Sequence, residues 1–188
     1  MSSDVSASSA KGSNKPGGPQ SPVPPKNEGL LAVGEAWAIG WSAPVLFTLF
    51  HRQPSVRDFG RYISAQAKDI DEWPNWYPRS VVHHATASGS LSASQRQAVA
   101  DMINARRSKL GEICLGYVFC TQSGLTRGVS KVISWLAPPP YPTFHAASVV
   151  DGLTSLRAVD PRIEPRILIA RYMSLFGEYL PADKGAEV

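Results

Sequence analysis

Residues 121–148 read TQSGLTRGVSKVISWLAPPPYPTFHAAS, and the way this stretch alternates decides the fold. A small polar turn ends at Ser123, a helix-capping residue. Behind it Leu125, Val129, Val132, Ile133 and Leu136 recur at helical spacing over 123–137. Three prolines at 138–140 stop the helix and turn the chain. A strand is expected over 142–148. Immediately upstream, EICLGYVFCT (112–121) is an almost unbroken apolar run, the pattern of a strand buried on both faces. Strand, helix and strand joined this tightly form the unit from which parallel sheets are built.

The pattern continues toward the N-terminus. EAWAIGWS (35–42) puts Trp37, Ile39 and Trp41 on one face by period-two alternation. PVLFTLFHRQ (44–53) follows after only a short break, so the two read as a hairpin. Residues 55–73 read as a helix capped by Ser55, with Asp58 three residues on as a capping-box variant. Its apolar stripe is Val56, Phe59, Ile63, Ala67 and Ile70, with Tyr62 at the margin, and Pro74 ends it. RSVVHHA (79–85) is a strand. Residues 92–111 read as one helix, capped by Ser92 or Ser94 and stopped at Gly111, with Val99, Met102, Ile103 and the Arg106 stem facing inward. Toward the C-terminus, 148–159 is a short helix with Ser148 as cap and Asp151 at its third position. Residues 160–180 hold an extra helix from about Glu164, with Pro165 in its first turn. The expected fold is α/β: an opening β-hairpin, then alternating helices and strands, a mainly parallel five-stranded sheet with right-handed crossovers, and an extra C-terminal helix.

Composition narrows the function. The 188 residues are 43% hydrophobic and 18% charged, which fits one globular domain with tails. Residues 1–29 are mostly Ser, Gly, Pro and Lys and offer little to bury, so a disordered tail is expected there. The domain is expected over 34–158. The net charge of +4 is spread over it rather than gathered into a basic arm. The one dense cluster, Arg106, Arg107 and Lys109, falls at a helix C-terminus, where cations suit the dipole; no nucleic-acid partner is expected. No run reaches the roughly 20 apolar residues of a membrane span, and the first residues lead into a polar tract with no apolar core of a signal peptide. A cytoplasmic protein is expected. Cys114 and Cys120, at the same strand parity, read as buried thiols rather than a disulfide framework.

The order of elements, carried by SASQRQAVADMI, GYVFCTQSGLTRGVSKVISWL and PTFHAASVVDGLTSL, resembles the STAS domain of anti-sigma-factor antagonists and the wider SpoIIAA-like group of small bacterial proteins. The resemblance spans roughly residues 34–158. It implies a non-catalytic regulatory or scaffold module that binds a protein partner or a second copy of itself. In that family a serine after the third strand is phosphorylated, typically in an Asp-Ser pair. Here the place reads HHATASGSLSAS, and Ser88, Ser90, Ser92 and Ser94 are available, but none follows an aspartate.

Other constellations carry chemistry more thinly. Free N–H groups at a helix start favour anions, so a phosphate on the 86–94 loop would be felt; equally, one serine there simply caps the helix. Arg127 sits in the first turn of its helix, where a cation opposes the dipole, so it either meets an acidic partner or is solvated. Cys120 ends a strand just before a helix start, a setting that can lower a thiol's pKa, and His83 or His84 on the neighbouring strand could pair with it. That reading gives a small thiol-dependent enzyme or redox sensor. Adjacent strand residues point to opposite faces, so His83 and His84 cannot share a metal, and His51 and His145 lack ligand spacing; no metal and no cofactor are expected. A third reading is a small-molecule or lipid binder using an apolar cavity beside the sheet. The aromatic loop DEWPNWYP (71–78) is either a binding anchor or a cover over the sheet edge.

Overall fold

Six strands form one sheet whose spatial order follows the chain: β1 (Gly29–Val33), β2 (Trp37–Ser42), β3 (Val45–Phe50), β4 (Arg79–Ala85), β5 (Cys114–Cys120) and β6 (Thr143–Ala146). The structure is a computed structural model describing residues 23–180 apart from 87, 88 and 90. β1, β2 and β3 pair antiparallel; β3 to β6 pair parallel. The parallel strands are linked by α1 (Val56–Glu72), by α2 (Ala93–Ala105) with α3 (Arg107–Ile113), and by α4 (Gly124–Leu136). After β6 come α5 (Val149–Leu156), α6 (Pro165–Phe176) and a 3-10 turn (Gly177–Tyr179). The α/β class, the opening hairpin and the alternation are as expected.

Two expectations are corrected. The sheet has six strands, because Gly29–Val33 pairs along β2 as an edge strand. Its lead-in is anchored: Lys26 pairs with Asp69 at 2.9 Å, and Glu28 accepts a bond from the Ala43 N–H at 3.1 Å. Lys26 to Gly29, counted with the tail in the sequence reading, are thus tied to the domain; residues 1–22 lie outside the described residues. The single helix over 92–111 is two helices. Arg106, at φ −118°, leaves helical geometry, and its guanidinium forks onto Asp71 of α1 through two bonds of 2.8 Å.

Alternation along the strands divides the core into two. On one face Trp37, Ile39, Trp41, Leu46, Phe50 and Phe119 meet α1 to α4. On the other, Ala38, Val45, Phe47, Leu49, Val82, Val118 and Cys120 meet α5 and α6. The C-terminal helix thus covers a sheet face: Leu168, Tyr172 and Phe176, four residues apart, are its buried edge, while Ile167 turns outward. Approach on this side is close. A Cβ at Gly152 would lie 2.6 Å from the Cys120 sulfur, and one at Gly40 would lie 2.9 Å from the Phe176 ring. The linker between α5 and α6 is fastened by the fully buried Asp160, which accepts two bonds from the Arg162 guanidinium (2.8 and 2.9 Å), one from the Arg162 backbone N–H (3.3 Å) and one from Ser80 (3.0 Å).

Asp58 also departs from expectation. Ser55 caps its backbone N–H as read from the sequence, but its carboxylate crosses to the N–H groups of Glu35 and Ala36 (3.2 and 3.1 Å), tying the β1–β2 turn to α1.

Candidate functional site

Between the sheet and α1 to α4 lies a cavity of about 180 Å³. Leu46, Thr48 and Phe50 of β3, Val81 and His83 of β4, and Tyr117 and Phe119 of β5 form its floor. The helices roof it with an unusual set. α1 presents Tyr62, Gln66 and Ile70; α4 presents Thr126, Val129, Ser130, Ile133 and Ser134. Both helices are rotated from the orientation their apolar stripes predict. On α1 the buried positions are Asp58, Phe59, Tyr62, Gln66, Asp69 and Ile70, while Val56 is exposed. On α4 only Thr126 is fully buried, and Leu125 and Trp135 are 63% and 80% exposed.

The polar groups on the wall are held neutral. Tyr62 is raised above its ordinary pKa, mainly by burial; Thr48 bonds its hydroxyl and accepts from Gln66 Nε2 at 3.0 Å. Burial likewise raises Tyr117 and Tyr141, and pushes the Cys114 thiol up to about 12. His83 stacks on Phe50 at 5.2 Å and lies 5.0 Å from Phe119; burial, with a smaller contribution from His84, lowers its pKa to about 3. At neutral pH it is an uncharged aromatic wall.

Two arginines are the exceptions: Arg52 is exposed, whereas Arg79 is buried. Arg79 opens β4, is 2% exposed, lines the cavity and stacks 3.9 Å from the Trp73 ring centroid. Its Nη2 donates to Asp69, and the other oxygen of Asp69 takes Lys26. One carboxylate thus serves two cations, and Arg79 Nη1 is buried without a hydrogen-bond partner. Sequence reading passed over Arg79 as the first residue of an apolar strand. The available signal was the combination of a strand-opening arginine, the preceding aromatic loop and Asp69 ten residues before it.

The residues singled out from sequence fall in three places. Ser92 caps α2 in a full capping box: its hydroxyl accepts the Gln95 N–H at 3.2 Å, and Gln95 accepts the Ser92 N–H at 2.8 Å. Ser94 is exposed and lies 2.9 Å from the Ser92 hydroxyl; Ser88 and Ser90 lie outside the described residues. The loop does meet the start of α4, since Thr126 donates to the Gly89 carbonyl at 3.5 Å. Arg127 is exposed on α4, and together with Lys131 it lowers the pKa of His145, behind the larger effect of burial.

Cys120 and His84 are register partners on the opposite face of the sheet, while His83 faces the cavity. His84 Nδ1 lies 2.7 Å from the Tyr172 hydroxyl. Cys120 is fully buried, and burial, with Asp151 adding to it, pushes its thiol up to about 12. That environment holds the neutral thiol and is the reverse of an activated nucleophile. The aromatic loop is a cover: Trp73 and Tyr77 pack on Trp41, and Trp76 alone turns outward. Among the described residues there is no cluster of three metal-ligating side chains, and no helix is long and apolar enough to cross a membrane.

No family model matches the chain, and neither does any curated protein. Among solved structures, a chain from the complex of the diguanylate cyclase SiaD with its activator SiaC from Pseudomonas aeruginosa is similar at 13% identity. The similarity covers 62% of this chain and 98% of that one, with a TM-score of 0.41. A likeness of that size assigns neither a family nor a partner.

Proposed function

We propose that this chain is a non-catalytic regulatory module that binds a partner protein through the outer face of α4. The observation that carries the reading is the exposed stripe of that helix. Leu125, Val132, Trp135 and Leu136 all face solvent on a helix whose inner side mixes Val129 and Ile133 with the hydroxyls of Thr126, Ser130 and Ser134. A helix normally turns its apolar stripe to the core. Here the stripe is left for something else, and a tryptophan in its last turn, 80% exposed, is the kind of side chain that anchors interfaces. By helical geometry Arg127 and Lys131, both exposed, run along one margin of the stripe. The fitting partner therefore presents an apolar strip edged by carboxylates.

The serine loop belongs to this reading because it touches the α4 start. A phosphate on Ser94 or a neighbouring serine would bring about −1.5 to −2 charges to that rim and oppose an acidic-edged partner.

The test is quantitative recovery of binding proteins with the purified chain and with Trp135→Asp, using Arg166→Asp on α6 as a control. Loss of a specific partner of at least tenfold with Trp135→Asp, kept by the control, supports the reading. Identical recovery from both variants overturns it. Sedimentation of the same proteins separates the remaining case: a wild-type dimer that Trp135→Asp dissolves makes the occupant a second copy rather than a partner.

A further inference from the structure

We propose that the cavity under α1 to α4 is a binding site for a small apolar molecule bearing one carboxylate, with Arg79 as the group that receives the charge. The inference is independent of the α4 docking face.

Size comes first. A cavity of about 150 Å³ in an apolar interior accommodates a benzene ring, so the 180 Å³ here suits a single ring or a chain of about six to eight carbons. The walls are suited to such a body: Val81, Val99, Met102, Ile133 and Phe119 are apolar, and the His83 ring is flat against Phe50.

Charge comes second. Among the described residues the ionised side chains on the cavity wall are Arg79 and Arg52, both cations; the carboxylate of Asp69 pairs with Arg79 and is shared with Lys26. Three atoms among the described residues are buried polar groups without a partner: Trp41 Nε1, His51 Nε2 and Arg79 Nη1. Of these three residues, only Arg79 lines the cavity. A guanidinium N–H left unbonded in an apolar interior is costly, and a bond to a carboxylate is among the strongest it can make. Of the two cations that share Asp69, Lys26 is partly open to water and Arg79 is not. A bound monocarboxylate supplies the bond that Arg79 lacks.

The position also makes sense of the rotated helices. Gln66 on α1 and Ser130 and Ser134 on α4 face the cavity where apolar side chains would have filled it. Small and polar side chains on the two helices leave this space unfilled, and the exposed Arg52 and Gln53 border it toward solvent.

The experiment titrates the full chain at pH 7 with phenylacetate and hexanoate, and in parallel with their neutral counterparts 2-phenylethanol and 1-hexanol. Heat and protein NMR shifts are the readouts. Saturable one-to-one binding is expected, with the acid at least tenfold tighter than its alcohol. Val99→Trp, which fills the cavity from α2, should abolish binding of both while leaving the circular dichroism spectrum intact. Arg79→Met should bring acid and alcohol to within about twofold of each other; Asp69 keeps Lys26 as partner in that variant, which helps the fold survive. If Arg79→Met does not fold, the acid-to-alcohol ratio of the wild type and the Val99→Trp titration still decide. The proposal falls if neither acid binds, if acid and alcohol bind alike, or if Val99→Trp binds as the wild type does. In the second case Arg79 is a structural tie to Asp69 and Trp73 and nothing more.

Discussion

The two faces of this sheet are built to different tolerances. Under α5 and α6 the facing side chains are mostly apolar and closely packed, and His51 Nε2, beside Tyr179 at the margin, is a buried polar atom there without a partner. The glycines are placed where a Cβ would collide, and Asp160 is bonded on both oxygens. Under α1 to α4 the same strands carry aromatics around an open volume, with hydroxyls and a guanidinium that keeps one nitrogen without a hydrogen-bond partner on its wall. A strand alternates between the faces, so β3, β4 and β5 contribute to both; the difference comes from the helices laid over them. The lesson is that one layer holds the domain together and the other is left adaptable, and a site belongs to the adaptable one.

Truncation should expose the difference most. Phe176→Ala removes a fully buried ring from the tight face, and a loss of about 3–5 kcal/mol is expected. Met102→Ala removes a side chain that borders the existing cavity. It forfeits fewer contacts, and a loss nearer 1–2 kcal/mol is expected, below the usual range for a packed core. Urea unfolding of both variants measures the gap. Equal losses would mean that the cavity closes up in solution and that the two faces are packed alike.

Enlargement should reverse the emphasis. Gly152→Val drives a side chain into the Cys120 sulfur and two methyls of Val118, and about 1–3 kcal/mol of destabilisation is expected. Val99→Phe adds volume on the cavity side, where there is room for it, and should change stability by less than about 1 kcal/mol. Thermal midpoints of the two variants are the measurement. A Val99→Phe variant as damaged as Gly152→Val would argue against the open volume itself.

Acid should act through the cavity face. His83 binds its proton far less tightly in the folded chain (about 3) than in an unfolded one (6.5). The unfolded state therefore takes up more protons as pH falls, and stability from this group is present above pH 6.5 and lost between there and about 3. The slope expected is roughly 1 kcal/mol per pH unit across that window. The groups around the ring are Phe50 and Phe119 on the neighbouring strands, Tyr62 on α1, Tyr117 on β5 and His84 beside it; none is a carboxylate that would stabilise the charge. His83→Phe should flatten the acid limb of the denaturation curve. A limb unchanged in this variant would assign the acid sensitivity to carboxylates elsewhere.

The sequence was informative about the tight face and much less so about the other, and the reason is physical. Period-two alternation in β2 and the buried run of β5 follow directly from hydrophobicity, so strand faces and element order could be read. The orientation of α4 could not, because its apolar stripe and its buried side differ. Leu125, Val132 and Leu136 indicate burial, but the space below is occupied by Ser130 and Ser134 facing a cavity. β1 was missed because GLLAV is short, half-exposed and preceded by a Pro- and Gly-rich tract. Arg79 was missed because a lone cation before an apolar run reads as a surface residue; only tertiary structure brings Asp69, Lys26 and Trp73 to it.

The smallest effect concerns the rim where the serine loop meets α4, and it tests whether charge there can be changed without disturbing the cavity face. Ser92→Ala removes both the N-cap and its half of the capping box, and about 1 kcal/mol of stability should go with it. Ser92→Asp should be close to neutral, because an aspartate oxygen accepts the same N–H and its charge suits the positive end of α2. The two substitutions therefore separate folding from charge. A partner that is lost with Ser92→Asp and kept with Ser92→Ala responds to negative charge at the rim, as an acidic-edged ligand of Arg127 and Lys131 would. One lost with Ser92→Ala and kept with Ser92→Asp depends only on an intact α2 start, and the serine loop then has no regulatory part.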